Sequence, residues 1–350
     1  MQNPATYREI VSQPAAWDGA LQAVNRQATS LRSAWEAQPV EQVVFAGCGS
    51  TYYLSLAAAM VFQSLTGTPA RGIPAGEFSL VSELDHLVGS GPTLLVAVSR
   101  SGTTTETLRA VERFRQADKG RVLTVGCYPD SDLARLGDAN VTIPEGREES
   151  VAQTRSFAAM YVACCALAAT LAGMEDVLAE MSCLPETGGR LIADTGERMR
   201  ALADPGRFDR IYFLGSGLRY GLASECSLKM KEMSLTHAEP FHFLEFRHGP
   251  ISMVTDSTLV VGLLSEDPQG REAAVLRDVL ELGGHVLPLG ETPLPGFESD
   301  RVSFESGLGE VARSVLYLPP LQLLGLERAL AKGLNPDRPR NLQPVVYLDD

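Results

Sequence analysis

The chain contains 350 residues, and 30 lysines and arginines against 43 aspartates and glutamates give a formal net charge of −13 at pH 7. Apolar residues make up 45% and charged residues 21%, which is typical of a globular protein of about two domains. The acidic balance argues against nucleic-acid binding, because phosphate backbones are bound by clustered lysine and arginine. A small anionic ligand stays possible, since main-chain N–H groups can bind it whatever the net charge.

Export and membrane insertion are not expected. The N-terminal residues 1–24 include Arg8, Glu9 and Asp18 and contain no apolar signal core. The longest apolar stretch, 160–173, is shorter than the roughly 20 residues that span a bilayer. The six cysteines include no Cys-x-x-Cys pair and lie mostly in apolar runs. This usage is typical of reduced thiols, so we expect a cytoplasmic protein without disulfides or bound metal.

The first half of the chain alternates strand-like and helix-like patterns after a helical stretch at 6–37. Short β-branched, aliphatic and aromatic runs lie at 43–46, 93–98 and 121–125. Helical patterns between them lie at 52–66 and 105–116. Because the strand-like runs are continuously apolar, we expect a parallel sheet covered by helices on both faces.

The second half repeats this pattern. Strand-like runs at 210–214, 258–264 and 285–289 follow their counterparts by 164 to 168 residues. We therefore predict an α/β chain with two tandem doubly wound parallel-sheet domains, related by internal duplication. The predicted segments are an N-terminal helical segment 1–37, a first domain 38–184, a linker 185–206, a second domain 207–335 and a C-terminal tail 336–350.

A loop rich in hydroxyl groups follows the predicted strand at 93–98. Residues 99–105, here called the hydroxyl loop, read Ser-Arg-Ser-Gly-Thr-Thr-Thr and precede a helix. Hydroxyls and N–H groups at a helix start can all donate to one phosphate, although serine and threonine there can also serve only as helix caps. The matching stretch 265–268 of the second copy is acidic, Ser-Glu-Asp-Pro, and would repel an anion. We therefore predict one phosphate site, in the first copy.

A glycine turn, Gly-Cys-Gly-Ser-Thr at 47–51, ends the first predicted strand. It should open on the same edge of the sheet as the hydroxyl loop. The dinucleotide fingerprint needs a further glycine where this chain has Tyr52, so the turn does not predict a dinucleotide site.

Charged residues mark a helix near position 230. Glu225, Lys229 and Glu232 are spaced to share one helix face. A carboxylate beside an ammonium group can act as a base, but the same spacing also fits an exposed ladder of ion pairs. His248, in an Arg-His-Gly-Pro turn, is expected on a loop, where either a catalytic or a structural role is open.

The motifs, taken in order, resemble the SIS (sugar isomerase) family. They are Ser-x-Ser-Gly-x-Thr at 99–104, Lys-x-x-Glu at 229–232, His-Ala-Glu at 237–239, His-Gly-Pro at 248–250 and Pro-Arg-Asn-Leu at 339–342. The chain resembles the isomerase half of the aminotransferases that make glucosamine 6-phosphate, and stand-alone amino-sugar-phosphate deaminases. The resemblance implies two flavodoxin-like SIS domains, with the C-terminal tail closing over the site.

The resemblance also implies roles for individual residues. Glu232 would move a proton between C1 and C2, with Glu225 and Lys229 as a supporting pair. His248 would assist ring opening in the site of a neighbouring subunit, which implies a homodimer. Residues implied to bind or surround the sugar phosphate are Cys48, Gly49, Ser50, Thr51, Ser99, Arg100, Ser101, Thr104, Val151 and Gln153. No metal ion or organic cofactor is implied.

Two features depart from the family pattern. About 40 residues precede the first predicted strand, so we expect no glutaminase domain and no glutamine-dependent synthesis. The family tail usually carries a lysine that forms a Schiff base with the open ketose, and this chain has Pro344 at that position. Arg100 also occupies a position that is often glutamine.

The function implied is that of a deaminase and isomerase of an amino-sugar phosphate such as glucosamine 6-phosphate. A deglycase of ketosamine phosphates is an alternative, because it would use the same proton shuttle. A non-catalytic phosphosugar sensor is another alternative, but such a protein could dispense with Glu232 and His248, and both are present. We expect a small phosphosugar as partner, and neither nucleic acid nor membrane.

Overall fold

The strand-like runs form two parallel sheets in a computed structural model that describes residues 3–37, 39–267, 269–297 and 300–345. The strands are β1 (Gln42–Gly47), β2 (Ala70–Pro74), β3 (Thr93–Ser99), β4 (Gly120–Gly126), β5 (Ala139–Thr142), β6 (Arg210–Gly215), β7 (His237–Phe241), β8 (Thr258–Leu263), β9 (His285–Gly290) and β10 (Val302–Ser303).

Helices precede and connect these strands. They are α1 (Ala5–Val11), α2 (Gln13–Asn25), α3 (Ala28–Glu36), α4 (Ser50–Thr66), α5 (Glu77–Leu80), α6 (Asp85–Val88), α7 (Thr105–Gln116), α8 (Asp132–Leu136), α9 (Arg155–Ala172), α10 (Glu175–Met181), α11 (Leu184–Leu202), α12 (Leu218–Ser234), α13 (Phe243–Phe246), α14 (Arg271–Glu281), α15 (Glu310–Arg313) and α16 (Leu318–Ala331). Short 3₁₀ turns lie at Pro144–Gly146, Pro250–Met253 and Ser314–Tyr317.

Both sheets have the same strand order. The first runs β2-β1-β3-β4-β5, and the second runs β7-β6-β8-β9-β10. Every strand pair is parallel. Numbered within each copy, both orders are 2-1-3-4-5, the flavodoxin-like arrangement that binds ligands where the order reverses. The predicted fold class of two tandem doubly wound α/β domains is confirmed.

The chain divides into two compact units, one around each sheet. The first unit contains residues 12–148, 153–185 and 343 onward, and the second contains 1–11, 149–152 and 186–342. The segment predicted as a linker, 185–206, is for the most part helix α11. The predicted domain bounds stay a prediction, and residues 346–350 of the predicted tail lie outside the described residues.

Helix α9 is the central helix of the first unit. It packs against α2 and α4, and its residues 156–170 are all buried. Its length of 18 residues and mean hydropathy of 1.5 would by themselves allow a membrane span, which corrects the expectation that this stretch is too short. In the structure, however, 83% of this helix is buried inside the protein, as in a core helix. Its many alanines allow neighbouring helices to approach closely.

Asp337 caps the N-terminal helix of the second unit. Its carboxylate accepts hydrogen bonds from Ala5 N at 2.9 Å, Thr6 N at 2.8 Å and Thr6 Oγ1 at 2.7 Å. These donors belong to the first turn of α1, where main-chain N–H groups have no partner within the helix. Burial acts to raise the pKa of Asp337, but these hydrogen bonds outweigh it and hold the pKa below its usual value.

We predict that Asp337→Asn lowers the free energy of unfolding by about 1–3 kcal/mol at pH 7, because charge-assisted hydrogen bonds to α1 are weakened. Since the folded pKa is lowered, this stabilisation is present above the unfolded pKa of about 4 and is lost as the pH falls through the folded pKa. Urea unfolding followed by circular dichroism at pH 7 and below pH 4 measures the difference. The exposed Asp194→Asn is the control, and an equal loss in both variants would refute the cap.

Candidate functional site

The hydroxyl loop runs from the last residue of β3 to the first residue of α7. Thr104 lies at the N-cap position of α7, but its side chain makes no capping hydrogen bond. Instead its Oγ1 lies 3.4 Å from the Oγ of Ser99, which is almost completely buried. The hydroxyl of Thr104 is therefore not used as a helix cap, which favours the ligand-binding interpretation of the loop over the capping one.

Hydrogen bonds within the loop fix its shape. Ser99 Oγ accepts from Gly102 N at 3.0 Å, and Ser101 Oγ accepts from Thr103 N at 3.2 Å and from Thr103 Oγ1 at 3.1 Å. Gly102 has a φ of +67°, and a Cβ there would lie 2.2 Å from Ser131 Oγ. Glycine is thus required for both its backbone conformation and its lack of a side chain.

The glycine turn lies on the neighbouring strand, because β1 pairs directly with β3. Thr51 is buried there, and its Oγ1 accepts from Cys48 N and donates to Cys48 O, each at 2.9 Å. Gly49 has a φ of +56°. Burial raises the pKa of the Cys48 thiol above its ordinary value, although a hydrogen bond with Thr107 acts against it. Thr51 and Cys48 therefore shape the turn, beside the buried Ser50 at the start of α4.

Arg100 extends from the hydroxyl loop to a carboxylate that the sequence analysis missed. Its Nη1 lies 3.4 Å from Glu148 Oε2, and the exposed fractions of the two side chains are 9% and 0%. Glu148 Oε1 also accepts from Thr154 N at 2.7 Å and Thr154 Oγ1 at 2.9 Å. Nothing in the sequence around Glu148 distinguishes it from the adjacent Glu149, whose side chain is largely exposed.

Val151 and Gln153 are both half-buried, and they fall into different units. In the second unit, Val151 N donates to Asp337 O at 3.0 Å. In the first unit, Gln153 Oε1 accepts from Ser156 Oγ at 3.3 Å. Their implied role beside the sugar hydroxyls stays a prediction.

The charged trio lies on α12 in the second unit, with two members buried and the third partly exposed. Lys229 Nζ lies 3.3 Å from Glu225 Oε1 and donates a hydrogen bond to Glu232 Oε2. The side chains of Lys229 and Glu225 are 1% and 0% exposed, whereas that of Glu232 is 18% exposed. The trio is thus not an exposed ladder of ion pairs. Burying charges is costly, and it is tolerated only where they are paired.

Lys229 is charged in spite of its burial. Burial acts to lower the pKa of Lys229, but the carboxylates of Glu225 and Glu232 outweigh it and raise the pKa above its usual value. The ammonium group can therefore hold the Glu232 carboxylate by a charge-assisted hydrogen bond. Glu232 also lines a cavity of about 240 Å³ in the second unit, together with Leu334, Arg338 and Arg340. The arrangement presents one fixed, partly exposed carboxylate to a cavity large enough for a small ligand.

His248 lies on an exposed turn between α13 and the 3₁₀ turn at Pro250–Met253, as predicted for its loop position. Its main-chain N donates to Glu245 O at 3.0 Å. Within the described residues, its imidazole makes no hydrogen bond to Glu225, Lys229 or Glu232. The structure therefore brings the charged trio together without His248.

In the second sheet, an arginine side chain occupies the edge that carries the glycine turn and the hydroxyl loop in the first sheet. Arg219 follows Gly215 and Gly217 as Thr51 follows Gly47 and Gly49. Its buried guanidinium donates from Nε to Leu264 O at 3.1 Å and Tyr317 OH at 3.0 Å, and Nη2 pairs with Glu310. A paired arginine thus occupies this edge of the second sheet, and the single phosphate site in the first copy stays a prediction.

Comparison with known proteins identifies the repeated unit. The family model described as "SIS domain" matches residues 38–170 and 207–293. Relatives include glutamine–fructose-6-phosphate aminotransferases from Symbiobacterium thermophilum, 30% identical and covering 98% of this chain, and from Clostridium perfringens, 31% identical and covering 89%. The chain spans 58% and 52% of the length of these two relatives.

Solved structures resemble the chain over almost its whole length. Glucosamine-6-phosphate deaminase from Thermotoga maritima is 28% identical, with a TM-score of 0.79 over 98% of this chain and 100% of that one. Tagatose-6-phosphate ketose/aldose isomerase from Escherichia coli has a TM-score of 0.88 over 99% and 97% of the two chains. Its identity of 23% shows a shared fold alone.

We predict that Lys229→Met lowers the free energy of unfolding of the second unit by about 3–5 kcal/mol, because it leaves the Glu225 carboxylate buried without a counter-charge. The double variant Glu225→Leu/Lys229→Met should recover most of this loss, since two apolar side chains replace the ion pair. Urea unfolding of both variants measures the effect, with the exposed Lys231→Met on the same helix as control. A single variant as stable as the control would contradict the buried pair.

Proposed function

The chain belongs to the SIS domain family, and on that premise we propose that it is an enzyme that deaminates and isomerises a phosphorylated hexosamine such as glucosamine 6-phosphate. One observation carries the proposal: a buried lysine holds the partly exposed carboxylate of Glu232 at the wall of a cavity. A fixed carboxylate that reaches a cavity is suited to move a proton on a bound substrate. The resemblance in fold to the Thermotoga deaminase supports the same reaction class.

In this proposal the hydroxyl loop binds the phosphate group. The hydroxyls of Ser99, Ser101 and Thr104 would donate hydrogen bonds to phosphate oxygens, together with main-chain N–H groups near the start of α7. Neutral donors of this kind suit a chain with a net charge of −13, because they require no exposed lysine cluster.

Glu232 would carry out the proton transfer. After ring opening exposes the C1 aldehyde, the carboxylate takes the proton from C2, and the electron pair forms a C1=C2 double bond as O1 gains a proton. Return of a proton to C1 gives a C2 imine. Water adds to that imine and ammonia leaves, so the products are fructose 6-phosphate and ammonia. The nitrogen on C2 belongs to the substrate, so Pro344 in place of a tail lysine does not block this route.

Ring opening would involve His248 of a second copy of the chain. The exposed turn that carries His248 supports this role, because an exposed imidazole can reach a neighbouring molecule. We therefore propose a homodimer in which each chain supplies His248 to its partner. Mixing His248→Ala chains with Glu232→Gln chains should form dimers that contain one chain of each variant. These mixed dimers would regain part of the activity if the two residues act in different chains.

A ketosamine-phosphate deglycase is a second candidate, favoured by one feature of the cavity. Arg338 and Arg340 line it beside Glu232, and neither makes a hydrogen bond or ion pair with another described residue. Two unpaired guanidinium groups could bind a carboxylate carried by the leaving amine. Assaying glucosamine 6-phosphate beside a fructosyl-amino-acid 6-phosphate, with release of ammonia or of the free amino acid as the readout, distinguishes the two candidates.

We predict that Glu232→Gln lowers turnover of glucosamine 6-phosphate by about 10²–10⁴-fold while binding is retained, because the amide cannot accept the proton. Release of ammonia and fructose 6-phosphate measures turnover, and calorimetric titration measures binding. Glu281→Gln, an exposed carboxylate on α14, is the matched control. Undiminished activity in Glu232→Gln would show that another group is the base.

We predict that Thr104→Val weakens binding of fructose 6-phosphate by about tenfold, since one hydrogen bond to the phosphate is lost. Binding of unphosphorylated fructose should change much less. Titration of both sugars into wild type and variant gives the two ratios. An equal effect on both sugars would refute phosphate binding by the hydroxyl loop.

A further inference from the structure

Arg100 joins the hydroxyl loop to the C-terminal segment within the first unit. Its Nη2 donates a hydrogen bond to the main-chain O of Pro344 at 3.0 Å, while its Nη1 faces Glu148 at 3.4 Å. Three residues that are far apart in the sequence thus form one connected group, Glu148–Arg100–Pro344. Arg100 and Pro344 are also two positions at which the chain departs from the pattern of its family.

Glu148 fixes the direction of the arginine. Its carboxylate is fully buried and is held by Thr154 N, Thr154 Oγ1 and Ser156 Oγ at the start of α9. A buried carboxylate in such a position requires a nearby cation. The guanidinium of Arg100 supplies it, and the planar shape of that group leaves another N–H directed at Pro344. The position of Arg100 is therefore set by the core of the first unit.

Pro344 accepts this hydrogen bond through its main chain alone. Proline offers neither a side-chain donor nor a charge, so its carbonyl can approach a guanidinium without repulsion. A lysine at this position would bring a second cation close to Arg100. The arginine in the loop and the proline in the tail are thus electrostatically compatible in a way that arginine and lysine would not be.

We propose that Arg100 is a positioning residue that fastens the C-terminal segment at 343–345 to the hydroxyl loop, so that phosphate binding in the loop strengthens this attachment. Ser99 and Ser101 flank Arg100, so a ligand that restrains their backbone also restrains the arginine between them. The inference rests on the proposed function only in requiring that the loop binds phosphate. It does not depend on which reaction the enzyme catalyses.

Trypsin offers a direct test, because it cleaves after Arg340 and not at the Arg338–Pro339 bond. Release of the fragment 341–350, followed by mass spectrometry, reports how often the C-terminal segment detaches. We expect Arg100→Met to accelerate this cleavage by about tenfold. We expect fructose 6-phosphate to slow cleavage of the wild type and to leave the variant unchanged.

Three further variants make the outcome decisive. Arg100→Met/Glu148→Gln also removes the buried carboxylate charge, so it should show the same acceleration if the single variant folds poorly. Pro344→Ala keeps the main-chain acceptor and should retain the protection of the wild type. Arg135→Met removes an exposed arginine and is the control for loss of a cleavage site.

The proposal is overturned if cleavage in both Arg100 variants is as slow as in the wild type. It is also overturned if Pro344→Ala detaches as readily as Arg100→Met, since packing of the proline ring would then hold the segment. Failure of fructose 6-phosphate to slow cleavage of the wild type would refute the coupling to the loop. Protection by fructose 6-phosphate without turnover of any hexosamine phosphate would refute the proposed reaction and leave the coupling standing.

Discussion

The burial of Lys229 between two carboxylates is the interaction on which the proposed site depends. An ammonium group and the Glu225 carboxylate are almost fully withdrawn from water, and only their mutual attraction makes this tolerable. Helix α12, which carries them, packs against α16 and β7, so the charges sit on a rigid element. Lys229 therefore fixes the Glu232 carboxylate by a charge-assisted hydrogen bond, while part of the Glu232 side chain lines a cavity. Catalytic groups need this kind of support to keep their geometry.

The two copies of the fold carry different kinds of residue at the same edge of the sheet. In the first, glycines and hydroxyls follow β1 and β3. Main-chain and side-chain hydrogen-bond donors are therefore concentrated there without a cluster of lysines. In the second, Arg219 fills the corresponding position and is neutralised by Glu310. In the proposed function, neutral donors of the first copy bind the phosphate, and binding of this kind is compatible with the acidic net charge of the chain.

Much of the fold is predictable from the sequence, and the features that the sequence does not predict have physical causes. Helix α7 was predicted with its observed bounds because an amphipathic pattern follows a clear N-terminal signal. Strand β5 was missed since it is four residues long and half-buried, so it has no continuous apolar run. Glu148 was missed because its importance arises from Arg100, 48 residues away in the chain. The contact between Arg100 and Pro344 could not be foreseen either, since it uses a main-chain carbonyl that every residue has.

The central claim is that a carboxylate on α12 exchanges protons at C1 and C2 of a hexose phosphate. Incubation of the enzyme with glucosamine 6-phosphate, and separately with fructose 6-phosphate, in ²H₂O tests it most directly, because proton transfer is then seen even when net turnover is slow. We predict that NMR detects deuterium at C1 of the ketose phosphate with the wild type, and that the Glu232→Gln variant incorporates none. Incorporation of deuterium by the Glu232→Gln variant at the rate of the wild type would contradict the claim.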